Sequence, residues 1–285
     1  EEKNSDVEDL IANERVVVTM TSAGYVKRMN TTTYRAQKRG GKGFHGVNLK
    51  ENDIVEHLFV ANTHDYLLFF TSKGKVYRIK VYEVPEGSRH ARGSEIVNLL
   101  QLDKDESVSA VISTKDFSKC EFLLFATESG MVKKTPMTEY DKTRRDGLIA
   151  INLKDGDRLI SVKRVTSEDK VVMVSSTGKA IIWETTEIRS MGRATQGVRG
   201  MLLTTDAKVL GMEVAKTGCD LLVITKYGYG KRTSLDQYPI QHRGGKGVNT
   251  IFMTEKKGQL SAMRVVWEDE EIFIKDYAEK NMEKL

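Results

Sequence analysis

The residues best suited to chemistry lie in one short run, Gln37-Lys38-Arg39-Gly40-Gly41-Lys42-Gly43. From Tyr34 to Gly46 there are four basic residues and no acid. Glycines lack a Cβ and reach positive φ, so backbone N–H groups there can close on phosphate oxygens. Arg39 can fork onto a phosphate, Lys38 and Lys42 supply mobile point charges, and Gln37 can hydrogen-bond backbone or phosphate. Taken alone, the run reads better as a polar turn whose glycines serve conformation only. It is not alone. A near copy, Gln241-His242-Arg243-Gly244-Gly245-Lys246-Gly247, repeats the glutamine, the arginine and the lysine. Weaker versions, Ser88-Arg89-His90-Ala91-Arg92-Gly93 and Gly192-Arg193-Ala194-Thr195-Gln196-Gly197, keep the arginine. Turn geometry accounts for the glycines in every copy but does not require the arginines. The chemistry indicated is polyanion binding.

Catalytic motifs are mostly absent. No G-x-x-x-x-G-K-[ST] loop occurs, and Gly40-Gly41-Lys42-Gly43 lacks both the spacing and the hydroxyl that would hold a nucleotide with its magnesium. The five histidines, His45, His57, His64, His90 and His242, have no metal-ligand spacing, and no C-x-x-C occurs. Cys120 and Cys219 fall at similar places in different repeats, too far apart for a disulfide, as suits free thiols in a reducing cytoplasm.

Charge is unevenly spread along the 285 residues. Residues 1–10 carry five acids and one lysine, and residues 268–285 seven acids and three lysines, so each end is −4. The whole chain is +5, which leaves the body at +13. A basic body favours a polyanion partner through its long-range potential, although a solvated mixed-charge surface has the same composition. With 39% hydrophobic and 30% charged residues, and no apolar run near 18 residues, a globular, soluble, non-membrane chain without a signal peptide is expected.

The elements that must position these cations repeat. Apolar runs Val16–Thr21, Tyr66–Thr71, Phe122–Thr127, Val171–Ser175 and Leu221–Thr225 each lead into a Thr/Ser-x-x-Gly turn. The turn glycines, Gly24, Gly74, Gly130, Gly178 and Gly228, lie 50, 56, 48 and 50 residues apart. Four of them have a basic residue four positions later: Arg28, Arg78, Lys134 and Arg232. A second glycine follows each turn by 19 residues, or by 17 in the third repeat, where Arg144 and Arg145 stand in for the single arginine. Another β-like run follows it, as in Glu95–Leu100, Leu148–Leu153 and Val198–Leu203. Strand, glycine turn and strand make a hairpin. Five such units of about four strands predict an all-β, propeller-like disc at residues 15–275, with a solenoid as the alternative. Residues 1–14 read as an acidic lead-in and 276–285 as a polar tail. Ala262–Trp267 and Glu271–Lys275 read as an incomplete sixth unit.

With these repeats, Tyr34-Arg35-Ala36-Gln37-Lys38-Arg39-Gly40-Gly41-Lys42-Gly43 resembles the gyrase A box. The flanking Thr21-Ser22-Ala23-Gly24-Tyr25-Val26-Lys27-Arg28 and Thr71-Ser72-Lys73-Gly74-Lys75-Val76-Tyr77-Arg78 are similar to the C-terminal domain of the bacterial DNA gyrase A protein. The resemblance runs from about residue 14 to 274. It implies a β-pinwheel whose blades exchange strands and whose basic rim wraps double-stranded DNA without reading sequence, giving the whole enzyme its negative supercoiling. The first-blade box is expected to complete the wrap. It also implies a non-catalytic domain without a cofactor, ATP and magnesium serving other domains, with the rest of the gyrase A protein and the gyrase B protein as cytoplasmic partners. Lys27, Arg28, Arg78, Lys133, Lys134, Arg144, Arg145, Lys231 and Arg232 are expected to supply rim charge, beside the two box segments and Arg89, Arg92 and Arg193. Six blades are usual in that family, and this chain carries five full repeats. The related domain of topoisomerase IV, whose box is degenerate or missing, and a propeller-type scaffold that binds proteins are the alternatives.

Overall fold

The computed structural model describes residues 7–31, 55–88, 90–117 and 121–267. Among them are nineteen strands and five short 3-10 turns. The chain divides into two compact units, one of residues 1–71, 76–117 and 142–148, the other of 72–75, 118–141 and 149–285.

The strands, in chain order, are β1 (Arg15–Thr21), β2 (Tyr25–Asn30), β3 (Val55–Asn62), β4 (Tyr66–Thr71), β5 (Lys75–Lys80), β6 (Ser94–Glu95), β7 (Val108–Thr114), β8 (Phe122–Thr127) and β9 (Met131–Pro136). There follow β10 (Leu148–Ile149), β11 (Leu159–Val165), β12 (Lys170–Ser175), β13 (Lys179–Glu184), β14 (Val198–Arg199), β15 (Val209–Ala215), β16 (Cys219–Thr225), β17 (Gly230–Ser234), β18 (Val248–Asn249) and β19 (Leu260–Trp267). They form five sheets, ordered β3-β1-β2-β6, β10-β5-β4-β7, β11-β8-β9-β14, β15-β12-β13-β18 and β17-β16-β19. Each hairpin carries on one edge the long strand that follows it in sequence. In the first four sheets the other edge holds a two-residue strand from the next repeat. This is the strand exchange implied by the resemblance.

Three details differ from the sequence-based expectation. Strands β3, β7, β11 and β15 have no counterpart in it. They are edge strands with partial exposure, as in the i-e-i-e-i-e alternation that opens β3, so their apolar signal is weak. Ala262–Trp267 is such a strand too: β19 pairs with β16 from Cys219↔Trp267 to Thr225↔Leu260 and therefore belongs to the fifth blade. Glu271–Lys275 lies outside the described residues. The runs after the second glycines are strand for two residues only. Beyond them the chain crosses the preceding turn glycine, as where Met201 N–H donates to the Gly130 carbonyl at 3.3 Å, and leaves the sheet.

The central strands explain the core. β12 is buried on both faces, so it reads as a continuous apolar run rather than an alternating one. Its odd residues Val171 and Met173 pack with Leu124, Ala126 and Trp183, towards the third sheet. Its even residues Val172 and Val174 pack with Leu221 and Val223 of the fifth. In the first unit Val16, Val18 and Met20 meet Leu67, Phe69 and Tyr77 in the same way.

The second glycines are required by the exchange itself. Gly197 has φ +89°, and a Cβ there would lie 2.2 Å from the Val132 carbonyl oxygen. Gly197→Ala combines left-handed strain with that clash and should destabilise the chain by about 1–3 kcal/mol. Thermal melting checks this, and Gly192→Ala, which meets nothing within 4 Å, is the matched control.

Candidate nucleic-acid interface

The box-like loops of the second, fourth and fifth repeats are delivered by the same sequence of events. The second hairpin strand ends in a 3-10 turn, at Val81–Glu83, Met137–Tyr140, Thr185–Glu187 and Leu235–Gln237. The chain then runs briefly parallel to the preceding blade's second strand, through the bridges Arg28↔Glu86, Lys134↔Ser190 and Ile182↔Ile240. After the loop and its positive-φ glycine it pairs antiparallel with the start of that strand, for example Val198↔Val132 and Arg199↔Met131. One strand therefore holds the loop at both ends, on the outer edge of its sheet.

Within the second unit, consecutive loops are joined to each other. Arg193 Nη1 donates to the Ile149 carbonyl at 2.6 Å. Arg243 Nη1 donates to the Arg199 carbonyl at 3.0 Å, and its Nε to the Glu187 carbonyl at 3.4 Å. Backbone bonds repeat the pattern: Asn152 N–H to Thr195 O at 3.0 Å, Leu202 N–H to Gly245 O at 2.9 Å, and Gly244 N–H to Gly200 O at 2.7 Å. The repeated arginine thus has a structural duty that turn geometry alone did not disclose. It is half-buried, and an arginine has five N–H donors, so it can still turn a donor outward.

Burial sorts the expected rim charges. Three of them are corrected: Lys27, Lys133 and Lys134 are buried, because the loop of the following repeat closes over them. Lys27 Nζ donates to the carbonyls of Ser88 at 2.9 Å and Ala91 at 2.8 Å. Lys134 Nζ donates to the Thr185 carbonyl at 3.0 Å. Burial lowers the pKa of both lysines. Lys133 is pushed down to about 7, first by burial and then by the nearby Arg193 guanidinium, against an opposing pull from Glu139. These lysines brace loops.

Other cations are partly committed. Arg28 reaches the Val84 carbonyl at 2.7 Å and Glu86 at 3.3 Å. Arg78 lies over the rings of Tyr66 and Phe117, 4.7 and 5.9 Å from the centroids. Arg232 spans Asp220 at 2.6 Å and the Trp267 carbonyl, and Arg145 pairs with Glu83. Gln241 is held through its N–H to the Ile182 carbonyl at 2.8 Å. Arg92, Arg144, Lys231 and Lys246 are exposed, Arg92 standing 5.4 Å from the Tyr25 ring centroid. Gln37, Lys38, Arg39, Gly40, Gly41, Lys42, Gly43 and Arg89 lie outside the described residues. Arg189 and Arg199, exposed beside the loops, were missed. Arg199 sits in β14 two residues after a second glycine, where the other repeats have His45, Glu95, Ile149 and Asn249, so no pattern marked it.

Within the second unit, the arrangement can hold a phosphate backbone against outward cations carried on mutually braced loops. Contacts of that kind position a duplex without reading its bases. Among the described residues no group of three or more His, Cys, Asp or Glu could hold a metal ion.

Comparison with known proteins gives a consistent picture. A family model described as "DNA gyrase C-terminal domain, beta-propeller" matches residues 15–62, 65–115, 121–166, 169–216 and 220–266, one stretch for each blade. The DNA gyrase A protein of Mycobacterium bovis (strain BCG / Pasteur 1173P2) is 45% identical over 268 residues, which cover 93% of this chain and 32% of the relative. Its Streptomyces coelicolor counterpart is 45% identical over 278 residues, covering 95% of this chain and 32% of its own length. The chain thus spans about a third of the length of the curated relatives it matches. Among solved structures, a C-terminal domain of DNA topoisomerase IV superposes with a TM-score of 0.77 at 28% identity, covering 90% of this chain and 79% of its own. A DNA gyrase A C-terminal domain gives 0.72 at 30% identity, with 90% and 84% covered.

Two classes of cation follow from the burial pattern, and they separate in an experiment. Alanine at Arg199 and Lys246 should weaken retention on a polyanion column and leave stability within about 0.5 kcal/mol. Arg243→Ala should lower retention and also cost about 1–2 kcal/mol in thermal melting, because two carbonyls lose their donor.

Proposed function

Because this chain belongs to the DNA gyrase C-terminal domain family, we propose that it binds double-stranded DNA along its outer loops and bends the duplex around them. The observation that carries the proposal is the row of box-like loops. Among the described residues, those of the second, fourth and fifth repeats are gripped at both ends by the preceding blade, and in the second unit the loops are hydrogen-bonded to one another. Such loops present cations at spacings set by the protein. A flexible arm could attract DNA but could not impose a path on it.

In this reading the domain acts without chemistry of its own. It hands a chirally wrapped segment to the strand-passing part of an ATP-dependent type IIA topoisomerase, with ATP and magnesium serving other domains. The partners are the duplex, the remainder of the gyrase A protein and the gyrase B protein, in the bacterial cytoplasm. No helix among the described residues is long and apolar enough to cross a membrane. The Gln37–Gly43 run, as the fullest copy of the box, is assigned the contact that completes the wrap. That run also favours gyrase over topoisomerase IV, since the two structural neighbours differ little in similarity.

Two measurements test the proposal. If about eight phosphates are neutralised, log K for duplex binding should fall with log salt at a slope near −7; an affinity indifferent to salt would overturn it. Ligation of nicked circular DNA in the presence of the chain, followed by removal of protein, should give a positive shift in linking number. Neutralising Lys38, Arg39 and Lys42 together should diminish that shift more than it weakens binding. Equal loss of both would deny the box its special role, and no binding at low salt would return the scaffold reading.

A further inference from the structure

The long edge strands of the second unit, β11, β15 and β19, lie beside one another on the sheet edges opposite the box-like loops. Ser161 Oγ on β11 donates to the Met212 carbonyl of β15 at 3.3 Å, and Lys163 Nζ pairs with Glu213 at 2.6 Å. A Cβ at Gly211 of β15 would lie 3.0 Å from Met263 Sδ of β19. Where the three strands end, away from the turn glycines, a cavity of about 460 Å³ opens between them. That volume is within the range of small-molecule sites.

The lining divides by chemistry. Val165, Val214 and Val265, one from each strand, give it an apolar surface, and Trp267 at the end of β19 is 52% exposed beside them. Two of its three carboxylates are paired, Glu121 with Arg164 Nε at 3.0 Å and Glu213 with Lys163. The third, Asp169, accepts the Thr166 N–H at 2.7 Å. Lys216 and Arg264 are exposed, and among the described residues their side chains make no ion pair or hydrogen bond. With Lys163 and Arg164 they outnumber the acids, so the cavity carries surplus positive charge. A guanidinium forks onto an oxyanion and an ammonium acts as a point charge. One carboxylate would satisfy one of the two and leave the other unmatched. A phosphate monoester, with about −1.5 to −2 charge at pH 7 and three acceptor oxygens, matches both. An indole beside an apolar surface suits a planar ring, and a nucleobase offers one.

We propose that this cavity binds a free nucleoside monophosphate. The base lies against Trp267 and the valines, and the phosphate is taken by Arg264 and Lys216. Asp169, which has acceptor capacity beyond its single N–H partner, receives the ribose hydroxyls. The site does not rest on the duplex reading, because its residues stand on the other edge of the sheets from the loops assigned to DNA.

The chain has two tryptophans and Trp183 is fully buried, so quenching of fluorescence by a ligand reports on Trp267. Titration of the whole chain with AMP should quench emission saturably, with a Kd of about 0.1–1 mM. Adenosine and inorganic phosphate each lack half of the contact and should bind at least about tenfold more weakly. Arg264→Ala and Lys216→Ala should each weaken AMP binding about fivefold or more, because each removes one charge-assisted contact to the phosphate. Both side chains are exposed, so the variants should fold as the wild type does. Lys256→Ala, at an exposed cation of the turn end, should leave AMP affinity within about twofold. Three results would overturn the proposal: no saturable quenching up to about 10 mM AMP, phosphate binding as well as AMP, or Arg264→Ala behaving like Lys256→Ala.

Discussion

The fold depends on one unmet requirement. A two-stranded hairpin leaves a row of backbone N–H and C=O groups on its second strand, and those groups need partners. Here they are met by the next repeat, which sends a short parallel bridge and then a two-residue strand back along the preceding blade. That requirement fixes the rest. It demands a left-handed glycine where backbones come closest, and it forces the segment between bridge and strand out to the edge as a loop. The loop is thus a by-product of completing a sheet, and its cations inherit the sheet's rigidity.

Positive charge is divided between two tasks. Lys27, Lys133 and Lys134 spend their donors on carbonyls, and their desolvation pulls their pKa values down. Arg193 and Arg243 stand between the two tasks, with donors given to the neighbouring loop and donors to spare. Arg144, Arg199 and Lys246 are exposed to solvent. The buried lysines add nothing to a polyanion surface, since their donors are already engaged in holding the loops.

The hairpins and their glycine turns were legible in sequence because each carries a local cause, an apolar run ended by a residue that reaches positive φ. The fate of the lysines was not. Lys27, Lys133 and Lys231 all lie three residues after a turn glycine, yet the first two are buried and the third is exposed. What covers Lys27 and Lys133 is a loop about 60 residues later in the chain. The fifth sheet has three strands among the described residues. No window of sequence around a lysine contains that information. The same distance hid the bond from Arg243 to Arg199, and the weak alternation of an edge strand hid β3 and its counterparts.

The exchange also separates the unit of heredity from the unit of architecture. A duplicated stretch of about 50 residues carries one hairpin together with the closing strand of the hairpin before it. Adding or deleting such a stretch would shift every seam by one place and leave each remaining sheet complete. A cut made at the visible borders of a sheet would instead orphan two of them. Blade number in such a chain can therefore drift by whole repeats during evolution. Lys133 and the Arg193 loop that covers it come from different repeats, so such a rearrangement keeps their contact only when both are carried along.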